Sequence, residues 1–464
     1  MFIARLVHLH RCRQRFCRAK CRESLMWRLR CRSPAFGGLS RRVAHRWQSS
    51  QAEVRGKHVP IGEAGSGYYS DHTKGCYDVV DKATPMMLEA CRSALAQRQQ
   101  RKAMESAEPF VICDYGCADA GTSLPMMRKL VRMVREAEPS TPIVLVYEDQ
   151  PQNDWSSVFN RISGDIPSVG GFGEATLEKG ITEEHENVSV FATGVSFYQR
   201  NLPEGFADLM FSATAMHWLK TVPKPMPDLL HSCMAEPGSP EDLEYEAAAL
   251  DDWKCILEHR AHELKPGGVF GVVSFSKTPE GYFLGRSSHV KESMHAHFLD
   301  IWRSFAQTGL ITNDEFVATN FPMRYRSLEE YLAPFGGDVA PSADADFPVV
   351  GATAGGLSTS GRFEGLRVVG AVYGEVRCPY HVRWMNEGDQ SSAEAKKAHA
   401  EHYVPTTRTW SNSTFEMGLS RSRTPEDRAA IVERLFQAYT DVVAARPGEN
   451  CMDYEHVYMA IQKE

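Results

Sequence analysis

The chain has 464 residues, 42% of them apolar, enough to bury a large core as one elaborated domain or two. Its charge is split: residues 1–50 hold 13 Lys and Arg against one acid, Glu23, a net of plus 12 in a chain of net minus 7, which leaves minus 19 for the remainder. An acidic body repels phosphate, which argues against nucleic acid as a partner, and no run of about 18 apolar residues is present to span a membrane.

The first 50 residues are rich in Arg and poor in acids, carry interspersed Leu, Phe and Trp, and end in Gln48-Ser49-Ser50. That composition suits an organelle transit peptide, mitochondrial before plastid; otherwise a cytoplasmic location is expected. A basic arm that touches nucleic acid or anionic lipid, or a misassigned start, are the competing readings. Four of the 12 cysteines (Cys12, Cys17, Cys21, Cys31) lie in this leader and none forms a C-x-x-C pair, so neither a disulfide framework nor structural zinc is expected.

After a polar, Gly-rich linker at 51–67, Tyr68 to Thr73 introduces a helical segment from Cys76 to about Met104, which Pro85 should break. These helices read as a lid over a sheet edge. Apolar runs then recur at βα spacing: 110–114, 143–147, 188–193, 207–212 and, after the turn Lys265-Pro266-Gly267-Gly268, 269–275. That alternation predicts an α/β protein with a doubly wound sheet. A Pro-rich loop leads into a helix from Leu243 to Leu264, a helical stretch lies between Tyr282 and Phe335, and residues 336–362, rich in Gly, Ala and Ser, read as a mobile loop. Gly365 to Val376 is a sixth strand. Thr424 to Arg446 is a strong helix with Thr424 at its N-cap and Pro425 at its first position, and His456 to Ile461 is a seventh strand.

Residues 110–124 organise the rest. An apolar strand ends in Asp114, a loop with Gly116 and Gly121 follows, and an amphipathic segment runs from Leu124 to Glu138. Such a turn lets a ligand approach the backbone beside free N–H groups at a helix start. A true G-x-G-x-x-G is absent, which argues against a nicotinamide dinucleotide, and no Gly-Lys-Ser/Thr follows, which argues against a P-loop. The second strand ends in Glu148-Asp149 about 30 residues on, one βαβ unit away. An acid there can hold two ribose hydroxyls, so nucleoside binding leads.

Several motifs in order strengthen that reading: Tyr69-Ser-Asp-His-Thr73, Asp114-Tyr-Gly-Cys-Ala-Asp-Ala-Gly121, Glu148-Asp-Gln-Pro-Gln-Asn-Asp-Trp155, Gly194-Val-Ser-Phe-Tyr198, Met216-His-Trp-Leu219, Glu263-Leu-Lys-Pro-Gly-Gly268 and Phe321-Pro-Met-Arg-Tyr-Arg-Ser-Leu-Glu-Glu330. From about residue 60 onward the chain resembles the SABATH methyltransferases, which include salicylate, jasmonate and benzoate carboxyl methyltransferases and caffeine-pathway N-methyltransferases. The resemblance implies a Rossmann-like class I methyltransferase sheet of seven strands, the last antiparallel, with an α-helical cap drawn mainly from 51–105, 214–262 and 280–345. It implies S-adenosylmethionine as methyl donor, a small carboxylic acid as acceptor and a possible homodimer; the sequence itself offers no identifiable metal ligand cluster.

Carried over position by position, Tyr69 and Thr73 would meet the donor carboxylate, Asp114 and Gly116 its amino-acid end, and Asp149 the ribose. Gln150 would pack by the adenine, Ser196 would hydrogen bond to it and Phe197 would stack on it. Trp218 would donate its indole N–H to the acceptor carboxylate. His217 would touch the acceptor or serve as base for a less acidic nucleophile; a noncatalytic histidine is an equal alternative. Cys76 stands where the family usually has a Gln that pairs with the tryptophan, and Thr214 where many members have Tyr or Ser. A larger acceptor pocket follows from these smaller side chains. N- or hydroxyl-directed methylation, and a noncatalytic ligand-binding homologue, are the alternative readings.

Overall fold

The computed structural model describes residues 61–102, 108–167, 177–341 and 357–464, so the expected leader lies outside the described residues. Phe110–Tyr115 (β1) is buried along its whole length, as a strand covered on both faces must be. Parallel to it run Ile143–Glu148 (β2), Val188–Thr193 (β3), Ala207–Ala213 (β4) and Leu264–Phe275 (β5). Beyond these come Val339–Pro341 (β6), Leu357–Thr359 (β7), Leu366–Val376 (β8) and Tyr454–Lys463 (β9). The sheet order is β3-β2-β1-β4-β5-β9-β8-β7-β6, with β9 antiparallel to both β5 and β8. All seven expected strands are present. The two additional strands, β6 and β7, come from the segment read as a mobile loop, whose residues 342–356 lie outside the described ones.

Chain order reverses between β1, which continues to β2 and β3 on one side, and β4 on the other. In open parallel sheets this switch point leaves a crevice beyond the carboxyl ends of the strands. Register places Asp114 opposite Tyr147 and Phe211, and Tyr115 opposite Glu148, so the acids of β1 and β2 emerge side by side there.

Tyr68–His72 (α1) is followed by one continuous helix, Lys74–Lys102 (α2), with Pro85 inside it. The expected break does not occur. An interior proline costs roughly 3 kcal/mol, but Val79, Val80, Met86, Met87 and Leu95 of α2 are all buried. Each such side chain contributes about 1.5–3 kcal/mol, so tertiary packing outweighs the proline. The Thr84 hydroxyl also donates to the Val80 carbonyl at 3.0 Å, tightening the turn that the proline weakens. Within the segment expected to contribute to a cap, α2 lies against β4, β5 and β9 and against Leu124–Ala137 (α3), as a layer on the sheet.

A further helical layer draws on Met294–Gln307 (α6, after Trp155–Ser163, α4, and Pro240–Glu263, α5) and on Ala393–Gly418 (α7) and Pro425–Ala445 (α8). Helices α7 and α8 pack together, α8 meets α6, and α7 meets α1. The sequence reading assigned no element to 377–423, so this C-terminal share of the helical layer is new. Thr424 caps α8 as expected, its side chain accepting from the Asp427 amide at 3.1 Å with Pro425 first in the helix. No helix among the described residues is long and apolar enough to cross a membrane.

Candidate active site

Three acids meet at the carboxyl ends of β1 and β2. Asp114 is 2% exposed and accepts from the Ser123 hydroxyl at the start of α3. Glu148 is buried, with one oxygen accepting from the Gly116 amide at 3.1 Å and the other, Oε1, without a partner. Asp149 accepts from the Ala118 amide at 2.8 Å and from the Gln150 amide at 2.7 Å, one on each oxygen. Burial pushes Asp114 up to about 7, with the Asp149 charge adding to the rise against the Ser123 hydrogen bond. Burial likewise raises Glu148 far above the usual carboxylate range, and pushes Asp149 up to about 6 against its two backbone bonds. The cation that eases Glu148, Arg260, is already spent on Glu263. Burial in the crevice therefore disfavours the ionised carboxylates, and a cationic ligand would favour them.

The loop from Gly116 to Gly121 is held in uncommon backbone. Gly116 has φ +75°, and Ala118 and Ala120, which carry a Cβ, sit at +48° and +63°. Left-handed non-glycine residues gather where surrounding structure over-determines them, commonly at functional sites. What each glycine admits is another part of the chain: a Cβ on Gly116 would stand 2.4 Å from that of Ala215, and one on Gly121 would stand 2.5 Å from the Ser70 hydroxyl.

That second contact shows how α1 is strapped across the loop. Asp119 accepts from the Ser70 amide at 3.0 Å, from the Ser70 hydroxyl, and from the Gly121 amide at 3.1 Å. Arg161 of α4 is almost fully buried; it donates to Asp119 at 3.3 Å, to the Gly67 carbonyl at 2.7 Å and to Asp71 at 2.9 Å. Tyr69 is thereby delivered to the site. Thr73 is buried beneath it with its hydroxyl donating to the Tyr69 carbonyl at 2.8 Å, so its side chain holds the turn.

A second buried network fixes the opposite wall. Arg260 and Glu263, both with no exposure, form a bidentate pair with two bonds of 2.7 Å. Arg260 also donates to the carbonyls of Phe197 and Gln199, each at 3.0 Å, and lies over the Tyr115 ring. Glu263 accepts from the Asn201 and Leu202 amides and from the Tyr115 hydroxyl at 2.6 Å. The loop carrying Ser196 and Phe197 is thus bound to β1 and α5, both side chains remaining partly exposed. Next to them, the Tyr198 hydroxyl donates to the Trp218 carbonyl, tying this wall to the segment after β4.

At the segment after β4, hydrogen bonds join the buried Cys76 thiol to the hydroxyls of Tyr69 and Thr214. Burial pushes the thiol up to about 11, so it is neutral. Thr214, a β-branched residue, has φ +51°. Trp218 is partly exposed and forms a backbone bridge with Met323. His217 is 2% exposed, edge-on to Phe275 at 4.7 Å between ring centres, with Nδ1 unpartnered. Burial, with His456 and Arg326 adding to it, holds this imidazole well below its usual range, hence neutral. Tyr325, His231, His295 and His456 extend the same aromatic wall.

The structure therefore brings Asp114, Gly116, Asp149 and Gln150 together at the loop. It joins Tyr69, Cys76 and Thr214 through their side chains and links Ser196 and Phe197 to Trp218 through Tyr198. Ser70, Asp119, Ser123, Arg161, Arg260 and Glu263 were not singled out from sequence. Asp119 and Glu263 stood inside quoted motifs, but their partners lie on other elements or one helical turn away.

With this geometry in view, residues 58–333 match the family described as SAM dependent carboxyl methyltransferase, more than half of the chain. The chain belongs to that family. Among relatives of this carboxyl methyltransferase family, indole-3-acetate O-methyltransferase 1 of Oryza sativa is 25% identical over 269 residues, 53% of this chain and 62% of that protein. Loganic acid O-methyltransferase of Catharanthus roseus is 22% identical over 296 residues, 58% of this chain and 70% of that one. The chain thus spans less than two thirds of the length of several curated relatives it matches. A solved loganic acid methyltransferase with SAH superimposes with a TM-score of 0.60 at 16% identity, covering 88% of this chain and 99% of the other. It shares the fold.

Proposed function

We propose that this protein transfers a methyl group from S-adenosylmethionine to the carboxylate of a small acid. The observation that carries the reading is the meeting of three buried acids, Asp114, Glu148 and Asp149, at the carboxyl ends of β1 and β2, where a cation would favour their ionised forms. When bound, the donor supplies a methyl group on a cationic sulfonium. The acids suit its positive amino-acid end, and Asp149, fixed by two amides, keeps lone pairs for ribose hydroxyls. Ser196 and Phe197 provide a polar and an aromatic edge for the adenine. Trp218 orients the acceptor anion with a neutral donor, which leaves the carboxylate nucleophilic. No base is needed, because a carboxylate is ionised near neutral pH. Holding nucleophile and methyl carbon in line removes much of the entropic barrier.

Cys76 in place of a longer amide leaves room beside Trp218, which favours acids bulkier than salicylate. Turnover of methyl-labelled donor on acids of increasing size tests this. Activity peaking on the larger acids supports it; tight donor binding with no turnover on any acid contradicts catalysis. One observation favours hydroxyl-directed transfer as the second reading: His217 is buried with an unpartnered Nδ1, which leaves a ring nitrogen for an acceptor hydroxyl. On that reading His217→Phe abolishes turnover; on the carboxylate reading it does so only partly.

A further inference from the structure

Apart from the residues assigned above, a histidine and a cysteine on one turn meet a histidine from a helix more than 60 residues away in sequence. His231 precedes the turn Ser232–Met234, which contains Cys233, and His295 lies in the first turn of α6. One ligand atom from each of the three lies within 4.8 Å of those of the other two. The two imidazoles have no exposure and Cys233 has 8%. Their ring centres are 4.4 Å apart. Each ring keeps one nitrogen without a partner, Nε2 of His231 and Nδ1 of His295. Buried polar atoms are nearly always satisfied, so two adjacent orphans point to a missing partner.

We propose that His231, Cys233 and His295 bind one zinc-class transition-metal ion through three protein ligands, leaving a fourth position open. The donor set decides the class. Thiolate and imidazole suit zinc and cobalt, whereas calcium and magnesium take oxygen ligands. His295 is already supported from behind: its Nε2 faces the Tyr325 hydroxyl at 3.2 Å, so with the ion on Nδ1 the other nitrogen donates to that oxygen. His231 gives up one contact, because its Nδ1 now accepts from the Cys233 amide at 3.0 Å. Whichever nitrogen takes the ion, the loss is one neutral hydrogen bond.

Binding breaks the Cys233 S–H bond, forms a sulfur–metal bond and releases the proton to solvent. Because the thiol must lose its proton to bind, affinity rises with pH. The ion ties the 231–234 turn to α6, and it lies in the aromatic wall that also carries His217. The sequence hides the site, since no metal-binding spacing links His231 and Cys233 to His295.

Cobalt is the probe. The full chain, stripped with chelator, is expected to take up one equivalent of Co²⁺ with a near-ultraviolet thiolate-to-cobalt band and the visible bands of a tetrahedral site, both erased by zinc. Cys233→Ser should lose the thiolate band while its far-ultraviolet circular dichroism is unchanged. His295→Asn should weaken uptake at least tenfold, about the loss that removing even an outer-shell partner causes. A variant with Cys12, Cys17, Cys21 and Cys31 all changed to Ser leaves the described residues intact and should keep the band. This last variant and His295→Asn keep the proposal open to refutation even if Cys233→Ser does not fold. Absence of one-equivalent uptake, a thiolate band that survives in folded Cys233→Ser, or its loss in the leader variant each overturns the proposal.

Discussion

On the proposed reading, the donor half and the acceptor half of the site are held by different means. On the donor side, carboxylates are clamped by backbone amides and by two buried arginines: Asp149 by Ala118 and Gln150, Asp119 by Ser70 and Arg161, Glu263 by Arg260. On the acceptor side, the wall is made of aromatic edges and neutral imidazoles, with ring nitrogens of His217, His231 and His295 unpartnered. Backbone-held geometry changes little when side chains change. Side-chain geometry changes with every substitution. One fold can thus keep a common donor while its acceptor varies, and the difference predicts which mutations damage stability, turnover or binding.

The largest effect should come from the donor half. Arg260→Met leaves the Glu263 carboxylate buried without its cation, which should cost about 3–5 kcal/mol in chemical denaturation. A loss within about 1 kcal/mol, typical of exposed pairs, would break the contrast. Next comes Trp218→Phe, which keeps an aromatic ring and removes the indole donor. Turnover should fall roughly 10²-fold, as for loss of one preorganised donor, with donor affinity in calorimetry unchanged. Asp149→Asn should do the reverse, weakening the donor by about tenfold or more, the worth of hydrogen bonds to a charged group. Unchanged affinity would remove that acid from the ribose.

The smallest effect is a pH dependence. Asp114, near 7, and Glu148, raised further, bind more protons folded than unfolded, so stability without ligand should fall as pH rises through their folded values. Buried neutral imidazoles such as His456, held down at about 3, act in the opposite direction. They do so only below the ordinary histidine value of about 6.5, so between roughly pH 6.5 and 8 the raised acids dominate: Asp114, Glu148 and, pushed up to about 8 by burial, Glu455. Over that interval the thermal midpoint of the free protein should drop, while the rise produced by S-adenosylmethionine should grow. Asp114→Asn should make both trends shallower, leaving the share that Glu148 contributes.

Legibility in the sequence follows the same division. The strands announced themselves as apolar runs, and Asp114 and Asp149 as acids at strand ends. Tyr69, Cys76, Thr214 and Trp218 were legible only through ordered family motifs, because nothing in their spacing joins segments 68–76 and 214–218. Helix α7 escaped because its buried face is largely hydroxylic. Thr407, Thr409 and Ser411 are buried and return their hydroxyls to carbonyls three or four residues back, so no apolar period appears. Pro85 misled for the opposite reason: a local rule lost to the packing of α2 on the sheet.

The most direct test of the central claim is the chemistry of the product. Protein incubated with methyl-labelled S-adenosylmethionine and the best acid from the size series should yield a product that mild base hydrolyses, releasing the label as volatile methanol. That outcome identifies a methyl ester. Label retained in a base-stable ether or N-methyl product would contradict carboxylate transfer and assign the reaction to another nucleophile.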